Sequence, residues 1–423
     1  MLRLFSALLG TTVVASLAFG CEHTVGSTIG ENQGTLIADC TQATDWAAGV
    51  RYTAGQIVRF NGSGYQCVQA HTSQADWTPT AVPALWSPVD CGGTGNPDAG
   101  QPPPPPPPPP PGGLLFSPYK DITINMDFNT YAMRTAVTGS VIPLVGSSGL
   151  IPGKSGLRAV TLAFATGQCG NENWAGVTRT QFASANVPGL VTNGVSYIVS
   201  TGGAAGVFSC ASQSGMTSFI NQYMSSHMVG VDYDIEGGQS PADVDNLVAQ
   251  TKIAQSQFPN LRFSFTLATL AATDSSHGGL NSLGDMVMKS IKRQGLTKFT
   301  INLMVMDYGS PSPGVCVVAG GLCNMGQSAI QAVKNLQFTY GIPASQIELT
   351  PMIGQNDVVN EVTSLADIDT MTTFAKQQGL VGLHFWSLDR DKPCPGGATS
   401  SSCSSTSNPS LAYTNRFLSG LGK

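Results

Sequence analysis

The sequence predicts an α/β protein: a (β/α)8 TIM barrel joined through a stiff spacer to a small all-β module. Three observations carry this reading. Across 114–423, eight apolar, β-branched runs alternate with stretches of helical periodicity, the pattern of parallel strands linked by crossover helices. Residues 102–111 are ten consecutive prolines in Gly-rich surroundings. Such a run adopts polyproline II at ~3 Å per residue, a rod about 30 Å long. Residues 44–90 hold short β-prone runs separated by Gly, Asn-Gly and Pro turns, which read as a tiny β fold.

Taken in order, residues 1–20, "MLRLFSALLGTTVVASLAFG", combine one Arg, an apolar stretch and small closing residues, and read as a secretory signal peptide. Cys21 follows directly, where a lipid anchor would attach, but Ala18 stands where such a site favours Leu. The ten cysteines also pair evenly only if none is acylated, so a secreted, extracellular chain with disulfides is expected. Spacing points to Cys169/Cys210, Cys316/Cys323 and Cys394/Cys403, with Cys40/Cys91 bracketing the module and Cys21/Cys67 left over. The domains are then 1–20 signal, 21–91 module with its flank, 92–113 linker and 114–423 barrel.

Composition narrows the function classes. Charged residues make up only 11% of the chain and the net charge is −5, which argues against nucleic acid as a partner. After the first 20 residues no run approaches the length of a membrane span. Five scattered histidines and no C-x-x-C pair predict neither a metal nor a cofactor. A monomer is expected.

In the module, Trp46, Tyr52, Tyr65, Trp77 and Trp86 exceed what so small a core can bury. Aromatics left outside commonly recognise flat apolar faces, those of sugars among them.

The barrel strands are expected at 122–128, 158–165, 194–200, 229–236, 262–268, 299–306, 347–353 and 381–386. Helices are expected at 241–257, 281–294, 326–340 and 365–378. The fourth strand is the unusual one, "VGVDYDIEGG", because Asp232, Asp234 and Glu236 alternate and so share one face. Glu236 lies at the C-terminal end, where functional groups of such barrels collect. Carboxylates in a buried column cannot all ionise, so a proton shared between Asp232 and Asp234 and a raised pKa on Glu236 are expected. A carboxylic acid held protonated near neutrality can act as a general acid.

Two resemblances extend this. "YTAGQIVRFNGSGYQCVQAHTS" and "DWTPTAVPALW" resemble the family 5/12 carbohydrate-binding modules that bind chitin. The likeness implies that Trp77 is the exposed binding residue and that Trp46 and Trp86 are core or secondary contacts. Residues 114–423 resemble the family 18 glycoside hydrolases, the chitinases, through the fourth-strand signature D-x-x-D-x-D-x-E, with Val229 at the first Asp position. "STGG" (200–203), "NLMVMDYG" (302–309), "LTPMIGQND" (349–357) and "HFWSLDRD" (384–391) extend the match.

The resemblance implies a chitinase with Glu236 as acid and Asp234 orienting the substrate's acetamido group. It further implies that Asp307 and Tyr308 contact that group and that Trp386 floors the sugar pocket. The partners implied are chitin and chitooligosaccharides. Family 18 is an exception to the two-carboxylate scheme, because the acetamido group itself attacks. The chain between Ile353 and Leu383 has room for one helix, which implies an open groove and endo-type cutting. An endo-β-N-acetylglucosaminidase on N-glycans and an inactive lectin-like protein share the fold. Retention of Glu236 separates this chain from the lectins, and the module with its spacer favours an insoluble polymer over a glycoprotein.

Overall fold

A computed structural model of the chain describes residues 40, 43–61, 63–75, 77–82, 85–89, 114–394 and 396–423. The predicted signal peptide, Cys21, Cys91 and the 92–113 linker lie outside the described residues. The chain forms two compact units, divided at 100/101.

In the smaller unit, a sheet runs in the order Thr44–Asp45, Ile57–Phe60, Ser63–Cys67, Trp86–Val89. Its central hairpin turns at Asn61, which takes a left-handed φ of 50°, a conformation that Asn tolerates better than most residues. Tyr52, Val58, Cys67 and Trp86 form the core, with Trp46, Tyr65 and Leu85 packed against it. Cys67 is a free, buried thiol, so the leftover pair Cys21/Cys67 is not formed. Its Sγ is directed into the unit, 3.1 Å from the Gln69 carbonyl. Cys40 is disulfide-bonded.

The larger unit is built on one all-parallel sheet. Leu115–Phe116 and Tyr119–Asp121 are two pieces of one strand, β1, interrupted by Ser117-Pro118. The others are β2 (Ala159–Ala165), β3 (Ser196–Gly202), β4 (Met228–Ile235), β5 (Arg262–Ala268), β6 (Thr300–Met304), β7 (Ile347–Thr350) and β8 (Gly382–Leu383). Strands β2 to β8 pair in sequence. The second piece of β1 pairs with β2 and the first with β8, which closes the barrel.

Helices α1 (Arg179–Thr192), α2 (Gln213–Tyr223), α3 (Pro241–Gln257), α4 (Ser282–Gln294), α5 (Met325–Tyr340), α6 (Leu365–Gln378) and α7 (Ala412–Leu421) follow β2 to β8 in turn. Among the described residues no helix follows β1. A small hairpin, Arg134–Thr135 with Ile142–Pro143, lies in that connection instead.

Element boundaries follow local chemistry. Ser240 and Ser364 cap α3 and α6 through reciprocal boxes with Asp243 and Asp367, satisfying first-turn N–H groups. Gly295, Gly341 and Gly379 end α4, α5 and α6 in the left-handed region. The expected first strand at 122–128 is a correction, since the strand ends at Asp121. There Asp121 Oδ1 accepts from the Thr123 N–H and hydroxyl, and buried Lys120 donates to the carbonyls of Asp121 and Ile124 and to Asp389. A local side-chain turn thus overrides the alternation of Ile122, Ile124 and Met126.

Disulfides Cys169–Cys210, Cys316–Cys323 and Cys394–Cys403 form as expected. No helix among the described residues is long and apolar enough to cross a membrane.

Candidate active site

The acidic strand β4 runs up the barrel wall, and its carboxylates meet different neighbours at different heights. Asp232 pairs laterally with Ser200 on β3 and Ser264 on β5, and both side chains point the same way across the pleat. Its Oδ2 accepts from Tyr119 Oη (2.9 Å) and Ser200 Oγ (2.6 Å). Oδ1 accepts from Ser264 Oγ and Thr266 Oγ1, both at 2.7 Å. Asn302 donates to Tyr119 and Thr266, and Thr350 donates to Asn302. Six strands therefore contribute to one polar layer centred on Asp232.

Two hydroxyl donors on each oxygen fill the acceptor capacity of Asp232. Burial pushes its pKa up, and the four hydroxyls oppose that shift.

Asp234 is as buried as Asp232 but poorly partnered, and its Oδ1 has no hydrogen-bond partner. Burial raises its pKa well above the usual range, followed by the charge of Glu236 and then that of Asp232. Glu236, one step higher, opens to solvent. Desolvation raises its pKa, a backbone bond from Ala204 opposes this, and the charges of Asp307 and Asp357 add to the rise. Gly202 makes this packing possible, because a Cβ there would fall on the Asp234 carbonyl and its φ is 87°. Only glycine meets both demands at little cost.

Val229 has no part in this face. Between β3 and β4 the register runs from Tyr197↔Met228 to Ile198↔Gly230, so Val229 is the extra residue of a bulge at the foot of the strand.

The carboxylates open into a cleft of about 420 Å³ at the C-terminal ends of the strands. Trp386 and Phe164 form an aromatic wall with ring centroids 5.5 Å apart and planes 14° from parallel. Met304, Met306, Met352, Asp121, Asp307 and Asp357 also line the cleft. Asp307 is half-buried in the left-handed region, φ 52°, and its Oδ1 accepts from the Val358 N–H at 2.8 Å. Burial raises its pKa, with a further rise from Asp357.

Tyr308 is the second correction. Its side chain is buried in the barrel core rather than the cleft, because the chain reverses at Asp307 and the next residue faces inward. Its hydroxyl has no hydrogen-bond partner.

Sequence reasoning brought Asp232, Asp234, Glu236, Asp307 and Trp386 together, and the structure places all five at or directly beneath the cleft. It missed Tyr119, Phe164 and Asp357, of which only Asp357 carried a signal, as the last residue of "LTPMIGQND". Trp77 belongs to the smaller unit, where its ring is half-buried and 6.4 Å from His71. Among the described residues no cluster of His, Cys, Asp and Glu could hold a metal.

Comparison with known proteins follows the same division. Residues 45–87 match the sequence model of carbohydrate-binding module family 5/12. Chitinase D of Niallia circulans is 33% identical over 163 residues, covering 38% of this chain and 29% of that protein. Chitinase Chi52 of Paenibacillus xylanexedens is 29% identical over 154 residues, covering 36% and 27%. The chain thus spans less than a third of the length of these two relatives. A structure of active domain 2 of the thermostable chitinase from Pyrococcus furiosus, determined with chito-oligosaccharides, superposes with a TM-score of 0.57 at 24% identity. It covers 73% of this chain and 95% of that one, a likeness of fold. The chain therefore carries a segment at 45–87 that matches the family 5/12 carbohydrate-binding modules and, in its larger unit, a barrel of the same fold as that structure.

Proposed function

We propose that the chain is a secreted chitinase, hydrolysing β-1,4 bonds between N-acetylglucosamine units with retention and with the substrate's own acetamido group as nucleophile. The observation that carries this is the pairing of Glu236 with a buried Asp234 whose Oδ1 has no partner. A desolvated acceptor left unpaired is costly, and an acetamido N–H arriving from the cleft would satisfy it.

In the forward step, protonated Glu236 gives its proton to the glycosidic oxygen as the bond to the anomeric carbon breaks. The acetamido carbonyl oxygen, oriented by Asp234, bonds to that carbon from the opposite face and forms an oxazolinium ion. Glu236, now a carboxylate, takes a proton from water. The water oxygen opens the ring, restores the acetamido group and leaves the configuration retained. Trp386 offers a flat face to the sugar, and Asp307 supports the acetamido group from the loop after β6. Tyr308 has no role in this scheme. Tyr119, the phenol that does line the cleft, donates its hydroxyl to Asp232.

The connection from β7 to β8 holds one small hairpin and α6, which supports an open groove and endo-type cutting. The domains would be 21–91, a linker at 92–113 and a catalytic unit at 114–423, acting as a monomer, with Trp77 carrying chitin binding.

The test pairs two variants on colloidal chitin. Glu236→Gln should lose hydrolysis by about 10³-fold or more and still bind the polymer. Trp77→Ala should bind solid chitin less well and still cut short soluble oligomers at the wild-type rate. Near-normal turnover by Glu236→Gln would overturn the acid assignment. Disaccharide release from one chain end, with no fall in viscosity of a soluble chitin derivative, would overturn endo action.

A further inference from the structure

The loop after β6 and the loop after β7 are joined by two carboxylates, each of which accepts hydrogen bonds from the other's backbone. Asp307, on the first loop, accepts from the Val358 N–H of the second. Glu361, on the second, accepts from the Tyr308 N–H through Oε2 at 3.0 Å and from the Gly309 N–H through Oε1 at 2.9 Å. Those are the two residues that follow Asp307. Glu361 itself is buried, with 2% of its surface exposed, and does not line the cleft.

The mount for Glu361 is firmly held. It follows a reversal closed by Asn356 N–H to the Glu361 carbonyl at 2.9 Å and ends where Gly354–Gln355 pairs with Val362–Thr363. Asn356 Nδ2 donates to the Met352 and Gly354 carbonyls, and the buried Arg390 guanidinium donates to the Ile353 and Gln355 carbonyls. By contrast, Asp307 holds a left-handed φ of 52°, a conformation that persists in a non-glycine residue only where the surrounding structure imposes it.

We propose that Glu361 is a positioning residue that fixes the Asp307 side chain in the cleft wall by gripping the two backbone N–H groups beyond it. The inference rests on the chitinase reading for its kinetic consequence, but its geometric content does not. Two N–H groups held at known places set the direction of the chain leaving Asp307, and with it the direction of the carboxylate. A glutamate serves because its two oxygens can meet two successive N–H groups at once, which a single carbonyl oxygen of glutamine does less well. The environment is strained in charge as well. Burial, and then the charge of Asp307, push the Glu361 pKa up to about 7, while the Tyr308 and Gly309 N–H bonds pull it down.

The experiment is a double-mutant cycle between positions 361 and 307, using chitooligosaccharides as substrate. Glu361→Ala should lower kcat/KM about tenfold in the wild-type background and have almost no effect in Asp307→Ala. Glu361→Gln, which keeps size and one acceptor, should fall between wild type and Glu361→Ala, and it answers the question if the alanine variant fails to fold. Equal losses in both backgrounds, or a lowered Tm with unchanged kcat and KM, would overturn the proposal.

Amide hydrogen exchange separates this from the activity reading. Exchange at 306–309 and at Val358 should accelerate in the Glu361 variants even if the wild-type chain hydrolyses no chitin. Unchanged exchange at those amides would overturn the positioning role.

Discussion

Asp232 and Asp234 stand two residues apart on one face of one strand, equally buried, yet their surroundings differ completely. The lower carboxylate receives four hydroxyl donors from three strands. The upper one keeps an oxygen with no partner and faces the charge of Glu236. Burial alone therefore does not make an acidic residue reactive. Burial with every lone pair satisfied makes a fixed structural group, and burial with a vacant acceptor facing a cleft makes a group ready to bind a substrate N–H.

Substitutions along this gradient sharpen the contrast. Of the two aspartates, the larger effect on activity should come from Asp234→Asn, which places an N–H where the acetamido N–H must arrive. A loss of about 10²-fold in kcat is expected, with folding unchanged, as checked by steady-state kinetics beside a denaturation curve. Near-normal kcat would show that the vacant oxygen is incidental.

In the lower half, Asp232→Asn should act mainly on stability. The amide presents donors to hydroxyls that are themselves donating, and a cost of about 1–3 kcal/mol is expected, measurable as a shift in urea midpoint. If stability stayed constant while kcat collapsed, the division between the two halves would be wrong.

A smaller effect should follow from Asp357→Asn at the cleft rim. Removing that negative charge lowers the Glu236 pKa, because the charge of Asp357 contributes to raising it. Glu236 acts in its protonated form, so the alkaline limb of the pH–rate profile should move to lower pH. The displacement should be small, because the Asp357 charge is exposed and screened, and movement to higher pH would contradict the sign.

The smallest effect belongs to Tyr308→Phe. It deletes a buried hydroxyl without a partner and should leave kcat and KM unchanged, with stability equal or up to about 1 kcal/mol higher. A large loss of activity would return Tyr308 to the site.

Much of this was legible in the chain because it depends on short-range pattern. Period-two carboxylates in an apolar run and eight alternating runs set the barrel and its acidic strand without any long-range information. The helices that escaped notice show the limit of pattern. α1 contains Pro188, and α2 and α7 are short segments whose helicity relies on packing against the sheet.

Tertiary structure alone decided the rest, because it depends on which strands lie side by side. Ser200, Ser264 and Thr266 are ordinary strand residues until closure of the barrel turns them onto Asp232. Tyr308 was a plausible contact until the left-handed turn at Asp307 sent it into the core. Glu361 lies 125 residues after Glu236 in the sequence, and it meets the Asp307 loop only because β6 and β7 are neighbours. The sequence by itself determined that three carboxylates share one face. Hydrogen-bond donors from neighbouring strands decided which carboxylate is held as structure and which is left open to the cleft.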